Sequence, residues 1–329
     1  MTTWMARLLW VVTIFTLGLF AGQYVDLFSK EPRSFSIDVG EKTSKYSFIN
    51  PLLFCSDQEI SNYTNALPTA LENKLNDYIK SQTSKGALDE ASVYYKDLNG
   101  GPWVLTNSKM KTVPASLLKV PTAMAIYKHA EKDPGILTAQ KTLSSENIEN
   151  KLQYFQPREM IEPGKSYSVA ELIRYMLEDS DNAALYILGN TLPEKEFEES
   201  YSDLGIDVPT EVAPGYVIDA KTYASFFRVL FNASYLSRDT SEEMLTTLSH
   251  SGFSQGIRTG VPKGVVVADK FGEFMVNNTD LRLNDCGIVY RKHDPYILCV
   301  ITRGTNFDSL TKIIAQISTI VWETLETQK

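Results

Sequence analysis

The sequence predicts an α+β fold of three layers, in which an antiparallel sheet of about five strands lies between helices. Three observations support this prediction. Strand-like segments occur near both ends of a region that begins at about residue 67, apolar helices open and close that region, and helical patterns fill its middle from about 115 to 250. Strands from both ends of a chain can close into one sheet, so the middle should form an all-helical lobe inserted between strands 2 and 3.

The region opens with a helix and a hairpin. In "TALENKLNDYIKSQ" the apolar side chains of Leu71, Leu75, Tyr78 and Ile79 share one helical face. "ASVYYKDLNGGPWVLTNS" follows and is typical of two short strands joined by an Asn-Gly-Gly turn. These segments predict the first covering helix and the first two strands of the sheet.

The middle of the region is dominated by helical patterns, among them "SVAELIRYMLEDSDNAALYILGN" and "TSEEMLTTLSH". The second opens with Thr240 and Glu243 at the spacing of a capping box, which predicts a helix start there. "GVVVADKFGEF", "DCGIVYRK" and "YILCVITRG" then predict three strands. The chain closes with "SLTKIIAQISTIVWETLE", whose apolar stripe predicts the second covering helix.

Two segments precede this domain, which we place at 67–329. Residues 1–28 contain an uncharged run from Leu8 to Gly22 after Arg7, shorter than the roughly 20 residues that span a bilayer. This is a cleaved signal peptide or an uncleaved signal anchor, and the lack of a clean A-x-A site favours the anchor. We expect residues 29–66 to be a stalk, with the catalytic domain extracytoplasmic, held at the membrane or secreted if the segment is cleaved.

The composition narrows the classes of molecule that this protein is expected to bind. The net charge of −8 argues against nucleic acid, because phosphate binding needs a basic surface. The three histidines and three cysteines have no metal-ligand spacing, so we expect neither a metal site nor a cofactor. Cys286 and Cys299 flank a predicted hairpin and could lie close together, but we expect them and Cys55 to be buried free thiols. We expect the domain to be a monomer.

Ser116 and Lys119 in "PASLLKVP" are the first candidates for chemistry. Residues three apart share a helical face, so the amine could reach the hydroxyl, and a neutral lysine can activate a serine. The S-x-x-K pattern also occurs at Ser108 and Ser309, and about one or two chance matches are expected at this length. Only the pair at Ser116 begins an apolar helix, and the simplest alternative is a helix-capping serine.

Two further signals follow along the chain. Ser180, Asp181 and Asn182 interrupt an apolar helical stretch, which predicts a break between two helices with polar side chains facing inward. Lys270 and Gly272 in "ADKFGEF" end a strand; Gly272 would let a substrate backbone lie along it, and the Glu273 N–H would point at a reacting carbonyl. The alternative interpretations are a helix N-cap and a bulge glycine.

In this order, S-x-x-K, S-D-N and K-x-G, the chain resembles the penicillin-recognising serine enzymes, namely class A β-lactamases and penicillin-binding proteins. The resemblance covers residues 69 to about 327. It implies that Ser116 is the acylated nucleophile, Lys119 its base, and Ser180 the proton donor to the leaving nitrogen. It also implies that Asn182 binds the substrate amide, that Lys270 attracts the substrate carboxylate, and that the N–H groups of Ser116 and Glu273 form the oxyanion hole.

The chain departs from the class A pattern at three places. No E-x-x-x-N follows from Gly189 to Val261, so the glutamate that positions the deacylating water is missing; Glu211 is the nearest candidate for a catalytic part. Phe271 replaces the hydroxyl residue of K-T-G. Cys286 stands where many class A enzymes carry an arginine, and Arg258, Arg282 and Arg291 are the candidate substitutes.

Three hypotheses follow from the resemblance and its departures. The first is a class A-like serine hydrolase that opens β-lactams. The second is a peptidoglycan D,D-carboxypeptidase or transpeptidase, acting on stem peptides, that β-lactams acylate and that deacylates slowly. The third is a non-catalytic binding protein on the same fold. All three share an extracytoplasmic setting and a cleft between sheet and helical lobe.

Overall fold

The computed structural model describes residues 46–50, 66–144, 149–209 and 215–327. Within these ranges the longer helices are α1 (Ala66–Ser84), α2 (Lys119–Ala130), α3 (Val169–Glu178), α4 (Asn182–Gly189), α5 (Glu194–Asp203), α6 (Ala220–Phe231), α7 (Arg238–Ser249) and α8 (Phe307–Glu326). The strands are β1 (Glu90–Asp97), β2 (Trp103–Leu105), β3 (Gln140–Thr142), β4 (Ser166–Ser168), β5 (Val266–Asn277), β6 (Asp280–Tyr290) and β7 (Tyr296–Gly304).

Five strands form one antiparallel sheet in the order β2-β1-β7-β6-β5. β1 pairs with β7, from Glu90 opposite Arg303 to Asp97 opposite Tyr296, so strands from the two ends of the domain lie side by side. β5 is an edge strand, paired only with β6 inside this sheet. The α+β fold class, with five strands that close from both ends, is confirmed.

α1 and α8 cover one face of the sheet. Leu71 and Leu75 of α1, and Ile314 and Ile317 of α8, are completely buried. They pack in one apolar core with sheet residues such as Val300. The apolar faces of α1 and α8 that the sequence predicts therefore pack against the sheet. Burial of their apolar area stabilises this packing.

The helical lobe covers the other face and is inserted between β2 and β5. Its core joins residues of α2, α3, α4, α6 and α7 to sheet residues such as Ile288 and Ile301. The lobe also holds a two-stranded sheet, β3 with β4, that the sequence interpretation did not include. Three-residue strands give too short an alternation to be read as strands from sequence.

Cys286 and Cys299 form a disulfide, so the expectation of free thiols is wrong for these two residues. They are direct partners in the β6–β7 pairing, and their Cα atoms are 3.9 Å apart. Side chains of directly opposed residues in antiparallel strands point to the same face, which brings the sulfur atoms together. Cys55 lies outside the described residues.

Residues 46–50 lie against the lobe. One carboxylate, that of Glu242 in α7, accepts backbone hydrogen bonds from Ser47 at 2.5 Å, Phe48 at 2.9 Å and Ile49 at 3.0 Å. Ile49 is 6% exposed. The predicted boundary at 28 and the predicted anchor segment lie outside the described residues, and the predicted boundary at 66 falls at the first residue of α1. Among the helices that are described, none combines the length and apolarity needed to cross a bilayer.

Candidate active site

Ser116 lies in a 3₁₀ turn, Ala115–Leu118, that leads directly into α2 at Lys119. Ala115 has φ of 49°, in the left-handed region that few residues other than glycine adopt. The buried hydroxyl of Tyr223 in α6 donates to the Leu117 carbonyl oxygen at 2.9 Å and holds the turn from below. Ser116 itself is half-buried. A strained turn of this kind is common where a side chain must be held for chemistry.

Gly272 of β5 packs against the backbone of that turn. A Cβ atom at this position would lie 2.6 Å from the Pro114 carbonyl oxygen and 3.0 Å from the Leu117 nitrogen. Only glycine allows this approach without displacement of the strand or the turn. The predicted site residue Gly272 therefore sets the distance between the edge strand and the candidate nucleophile.

Lys119 is fully buried, and its ammonium group has three acceptors. Nζ donates to the Ser180 carbonyl oxygen at 2.6 Å, to Ser180 Oγ at 3.0 Å and to Asn182 Oδ1 at 2.7 Å. An ammonium carries three protons, so these acceptors account for all of them. The lysine of S-x-x-K is thus tied directly to the first and third residues of S-D-N.

Lys270 approaches the same hydroxyl from the sheet. Its Nζ donates to Ser180 Oγ at 2.9 Å and to the Phe271 carbonyl oxygen at 2.9 Å, and its side chain is fully buried. A hydroxyl oxygen has two lone pairs, and two lysines use both. The hydroxyl proton of Ser180 is therefore available to a further acceptor.

The S-D-N residues form the break between α3 and α4, as the sequence predicts. Ser180 has φ of 58°, and Asp181 caps α4 by accepting from the Ala183 and Ala184 N–H groups at 2.7 and 3.0 Å. The other oxygen of Asp181 accepts from the Ile161 N–H at 2.8 Å. Because Asp181 fixes the turn, the polar atoms of its two neighbours point inward to the lysines.

Burial lowers the pKa of both lysines. For Lys119 the largest cause is loss of solvent, the positive charge of Lys270 adds to it, and the pKa falls well below its ordinary value. For Lys270 burial lowers the pKa to about 7, although the nearby carboxyl groups of Asp269 and Asp285 oppose the shift. Two ammonium groups on one oxygen repel each other, so one lysine is readily neutral and able to accept a proton.

The three arginines considered as carboxylate ligands are each paired with an acidic residue. Arg258 Nε donates to Asp269 Oδ1 at 2.7 Å, and Asp269 directly precedes Lys270 in β5. Arg282 Nε donates to Asp280 at 2.8 Å, and Arg291 lies 2.7 Å from Glu326.

Asp269 lies beside a second buried carboxyl group, that of Asp285 in β6. Burial raises the pKa of both, and the charge of Asp269 adds to the shift of Asp285. Asp285 Oδ2 accepts from the Ile257 N–H at 2.9 Å. We infer that Asp285 holds a proton in the folded protein, because two carboxylates in contact cannot both ionise at low cost.

Glu273 was selected from the sequence for its N–H group, and its side chain also forms hydrogen bonds to the lobe. Its half-buried carboxylate accepts from the Tyr154 N–H at 2.9 Å and the Phe155 N–H at 3.3 Å. Burial raises its pKa, and those two N–H groups and the charges of Lys270 and Lys119 act against the rise. A loop of the lobe is thus joined to the edge strand.

An aromatic cluster surrounds Phe271 and has no counterpart among the sequence-based predictions. The ring stacks on Phe253 with centroids 4.2 Å apart and meets Phe155 edge-on at 5.8 Å. Phe307 at the start of α8 joins the group through Phe155. These residues come from four separate segments, so no local pattern in the sequence connects them.

A cavity of about 440 Å³ borders this aromatic cluster. Its walls include Tyr154, Phe155, Phe253 and Phe271, with Asp179 and Asp308 among the polar groups. Glu211, the remaining candidate, lies outside the described residues. The structure therefore brings together Lys119, Ser180, Asn182 and Lys270 by direct hydrogen bonds, and places the turn of Ser116 against Gly272.

A family model described as the β-lactamase enzyme family matches residues 70–325. The structure of PBP-A is similar, with 20% identity, a TM-score of 0.66, and coverage of 79% of this chain and 97% of that one. A β-lactamase from Chitinophaga pinensis is also similar, with 20% identity, a TM-score of 0.67, and coverage of 78% and 99%. No curated protein matches.

Proposed function

Because the chain belongs to the β-lactamase enzyme family and has a class A-like domain, we propose that it is an exported serine hydrolase that acts through an acyl-enzyme on Ser116. Its substrates are β-lactams or amides that resemble the D-Ala-D-Ala end of a peptidoglycan stem peptide. The observation that carries the proposal is the pair of buried lysines on the Ser180 hydroxyl. Such an arrangement moves protons at neutral pH, because burial makes a neutral lysine accessible.

These contacts support the following acylation step. Ser116 Oγ attacks the carbonyl carbon while neutral Lys119 takes its proton, and the carbon–nitrogen bond then breaks. Ser180 gives its hydroxyl proton to the departing nitrogen and regains one from a lysine ammonium. The N–H groups of Ser116 and Glu273 stabilise the oxyanion, and Asn182 orients the acyl amide. Every group in this scheme belongs to the turn of Ser116, the first residue of α2, the S-D-N break or the edge strand.

Hydrolysis of the acyl-enzyme distinguishes two versions of this function. Efficient β-lactamases need a positioned water, and the sequence has no E-x-x-x-N from Gly189 to Val261. That observation favours a second candidate, a D,D-peptidase whose acyl-enzyme with a β-lactam is long-lived. A penicillin G acyl-enzyme has been seen in a mutant of PBP-A, whose fold this chain shares.

Incubation of the purified full-length protein with a fluorescent penicillin and a chromogenic cephalosporin tests the proposal. We expect covalent labelling that Ser116→Ala abolishes and that Ser309→Ala, at another S-x-x-K match, leaves intact. Labelling with fast cephalosporin turnover supports a β-lactamase, and persistent labelling without turnover supports a D,D-peptidase. Absence of labelling, or labelling that survives Ser116→Ala, would contradict the proposed nucleophile.

A further inference from the structure

We propose that a second cavity, at the edge of the sheet opposite to β5, binds a small organic carboxylate with an apolar body. The cavity has a volume of about 450 Å³ and lies between α6, the strands β1, β2 and β7, and residues 204–206. None of the candidate catalytic residues within the described part of the chain lines it. The inference goes beyond the proposed acyl-enzyme function and does not depend on it.

The place of this cavity in the fold separates it from the candidate active site. Tyr94 of β1 and Leu105 of β2 line the cavity, whereas Lys270 belongs to β5. The strand order β2-β1-β7-β6-β5 puts β1 and β5 three strand spacings apart. At about 4.8 Å for each spacing, the two strands are roughly 14 Å from each other. A ligand in this cavity therefore occupies a site different from that of a substrate on Ser116.

The floor of the cavity is apolar. Tyr94 and Leu105 are directly opposed in the pairing of β1 with β2, so their side chains point to the same face of the sheet. Ile297 of β7 is opposed to Lys96, two residues beyond Tyr94, and therefore shares that face. A lining of apolar side chains with a few charged groups at its border is typical of sites for small organic molecules.

The helix α6 adds two positive charges to the wall of the cavity. Lys221 and Arg228 both line it, and both are exposed. They lie about two helical turns apart and so share one face of α6. Lys221 Nζ lies 4.8 Å from the centre of the Trp103 ring in β2, which is a cation–π contact. The charge of Lys221 is thus held between α6 and the strand at the edge of the sheet.

Arg228 has no hydrogen-bond or ionic partner within the part of the chain that the structure describes. Its charge acts on the floor of the cavity. Burial raises the pKa of Tyr94, and the charge of Arg228 opposes this rise. Burial lowers the pKa of Lys96, Asp97 opposes this shift, and Arg228 adds to it. Arg228 and Lys96 are therefore close enough to repel each other, and a bound anion reduces this repulsion.

The acidic residue that lines the cavity does not neutralise these cations by an ion pair. The carboxylate of Asp219 accepts from the Thr222 N–H at 2.9 Å and from the Thr222 hydroxyl at 2.8 Å, and it caps α6. Positive charge therefore exceeds negative charge at this cavity, although the whole chain has a net charge of −8. Such a local excess favours an anionic ligand.

The guanidinium of Arg228 favours a carboxylate as the anion. Its parallel N–H groups match the two oxygens of one carboxylate, and its single positive charge matches the single negative charge. The apolar floor then contacts the body of the ligand. An aromatic or aliphatic carboxylate satisfies both halves of the cavity, and neither a bare anion nor a neutral apolar molecule does so.

Isothermal titration calorimetry on the purified full-length protein at low ionic strength tests the inference with three probes. 2-Naphthoate carries both the charge and the apolar body, 2-naphthamide carries the body alone, and acetate carries the charge alone. We expect 2-naphthoate to bind at least about tenfold more tightly than either of the others, because each of them lacks one half of the contacts.

Arg228→Gln localises the binding. We expect this change to weaken the binding of 2-naphthoate about tenfold and to leave that of 2-naphthamide unaltered. Arg238→Gln is the matched control, because it makes the same change at an exposed arginine of α7 outside the cavity. It should leave both affinities unaltered.

Three results would each overturn the inference: no binding of 2-naphthoate, equal affinity for 2-naphthoate and 2-naphthamide, or 2-naphthoate binding that survives Arg228→Gln. None of these results depends on covalent labelling of Ser116. A failure of this inference is therefore distinguishable from a failure of the proposed function.

Discussion

The ammonium groups of Lys119 and Lys270 meet on one atom, the hydroxyl oxygen of Ser180, at 3.0 and 2.9 Å. One lysine comes from the helix that follows Ser116 and the other from the edge strand of the sheet, so the contact joins the lobe to the sheet. Because both lysines are fully buried, water cannot replace the shared oxygen. The shared contact brings the motifs of Lys119 and Lys270, which are far apart in the sequence, to one side chain.

Replacement of Ser180 by alanine tests this shared contact. Both lysines lose an acceptor and, in the proposed scheme, the leaving nitrogen loses its proton donor, so we expect acylation to slow by about 10²–10⁴-fold. The measurement is the rate of covalent labelling by a fluorescent penicillin. Ser241→Ala in α7 is the matched control, since its buried hydroxyl has no hydrogen-bond partner within the described part of the chain. A decrease of less than about tenfold in the labelling rate of Ser180→Ala would contradict the proposed proton transfer by Ser180.

The pH dependence of stability follows from the pKa of Lys270. Burial lowers that pKa to about 7 in the folded protein, whereas an unfolded lysine titrates near 10.4. Between these values the unfolded state binds more protons, so the lysine makes the free energy of unfolding rise with pH across this window. The pKa of Glu273 is raised in the folded protein, so the loss of its proton as pH rises lowers the free energy of unfolding.

Lys270→Met isolates the contribution of the lysine. Urea unfolding of the wild type and the variant at pH 7, 8 and 9 gives the difference in free energy at each pH. We expect the free energy of unfolding of the wild type to increase relative to that of the variant as pH rises. Parallel curves for the two proteins are the outcome that would show a normally titrating lysine at position 270.

Gly272→Ala tests the contact between strand and turn. The added Cβ would lie 2.6 Å from the Pro114 carbonyl oxygen, so β5 or the turn of Ser116 must move. We expect a loss of about 1–3 kcal/mol in the free energy of unfolding and at least about a tenfold loss in acylation rate. Gly189→Ala is the control, because its Cβ would meet nothing within 4 Å. If Gly272→Ala and Gly189→Ala had the same stability and acylation rate, the contact between Gly272 and the turn of Ser116 would have no role in either property.

The disulfide gives a prediction about thiols and stability. Under denaturing conditions without reductant, the intact chain should show one free thiol per molecule, since it has three cysteines and Cys286 is bonded to Cys299. The bridge closes a short loop, so replacement of both residues by alanine should lower the free energy of unfolding by about 3 kcal/mol. Titration of three thiols before reduction would show that the bridge does not form.

The covering helices and the five-stranded sheet could be predicted because their sequence signals are local. Apolar periodicity located α1 and α8, and the S-D-N tripeptide located the break before α4. The predicted capping box at Thr240 was wrong by three residues. Ser237 caps α7 instead, and its Oγ accepts from the Thr240 N–H at 3.2 Å. Two hydroxyl residues at similar positions give nearly the same signal, so sequence cannot choose between them.

The site was predicted in part for a similar reason. The motifs carry Ser116, Lys119, Ser180 and Lys270, and the structure links the last three by hydrogen bonds. The position of the Glu273 carboxylate on the Tyr154 N–H depends on a loop 119 residues away. Burial, which shifts the pKa of each lysine, depends on packing from many segments. No short stretch of sequence determines either the position of the Glu273 carboxylate or the burial of the lysines.

The pairing of β1 with β7 imposes an order on biosynthesis. Glu90 emerges from the ribosome long before its partner Arg303, and the whole lobe is made between them. Ser116, Lys119 and Ser180 therefore exist in the nascent chain before Lys270 and before the sheet can close. Premature termination anywhere ahead of β5 yields a chain that contains Ser116 and Lys119 but lacks Lys270. The hydrogen bonds of both lysines to Ser180 can thus form only when synthesis of the domain is nearly complete.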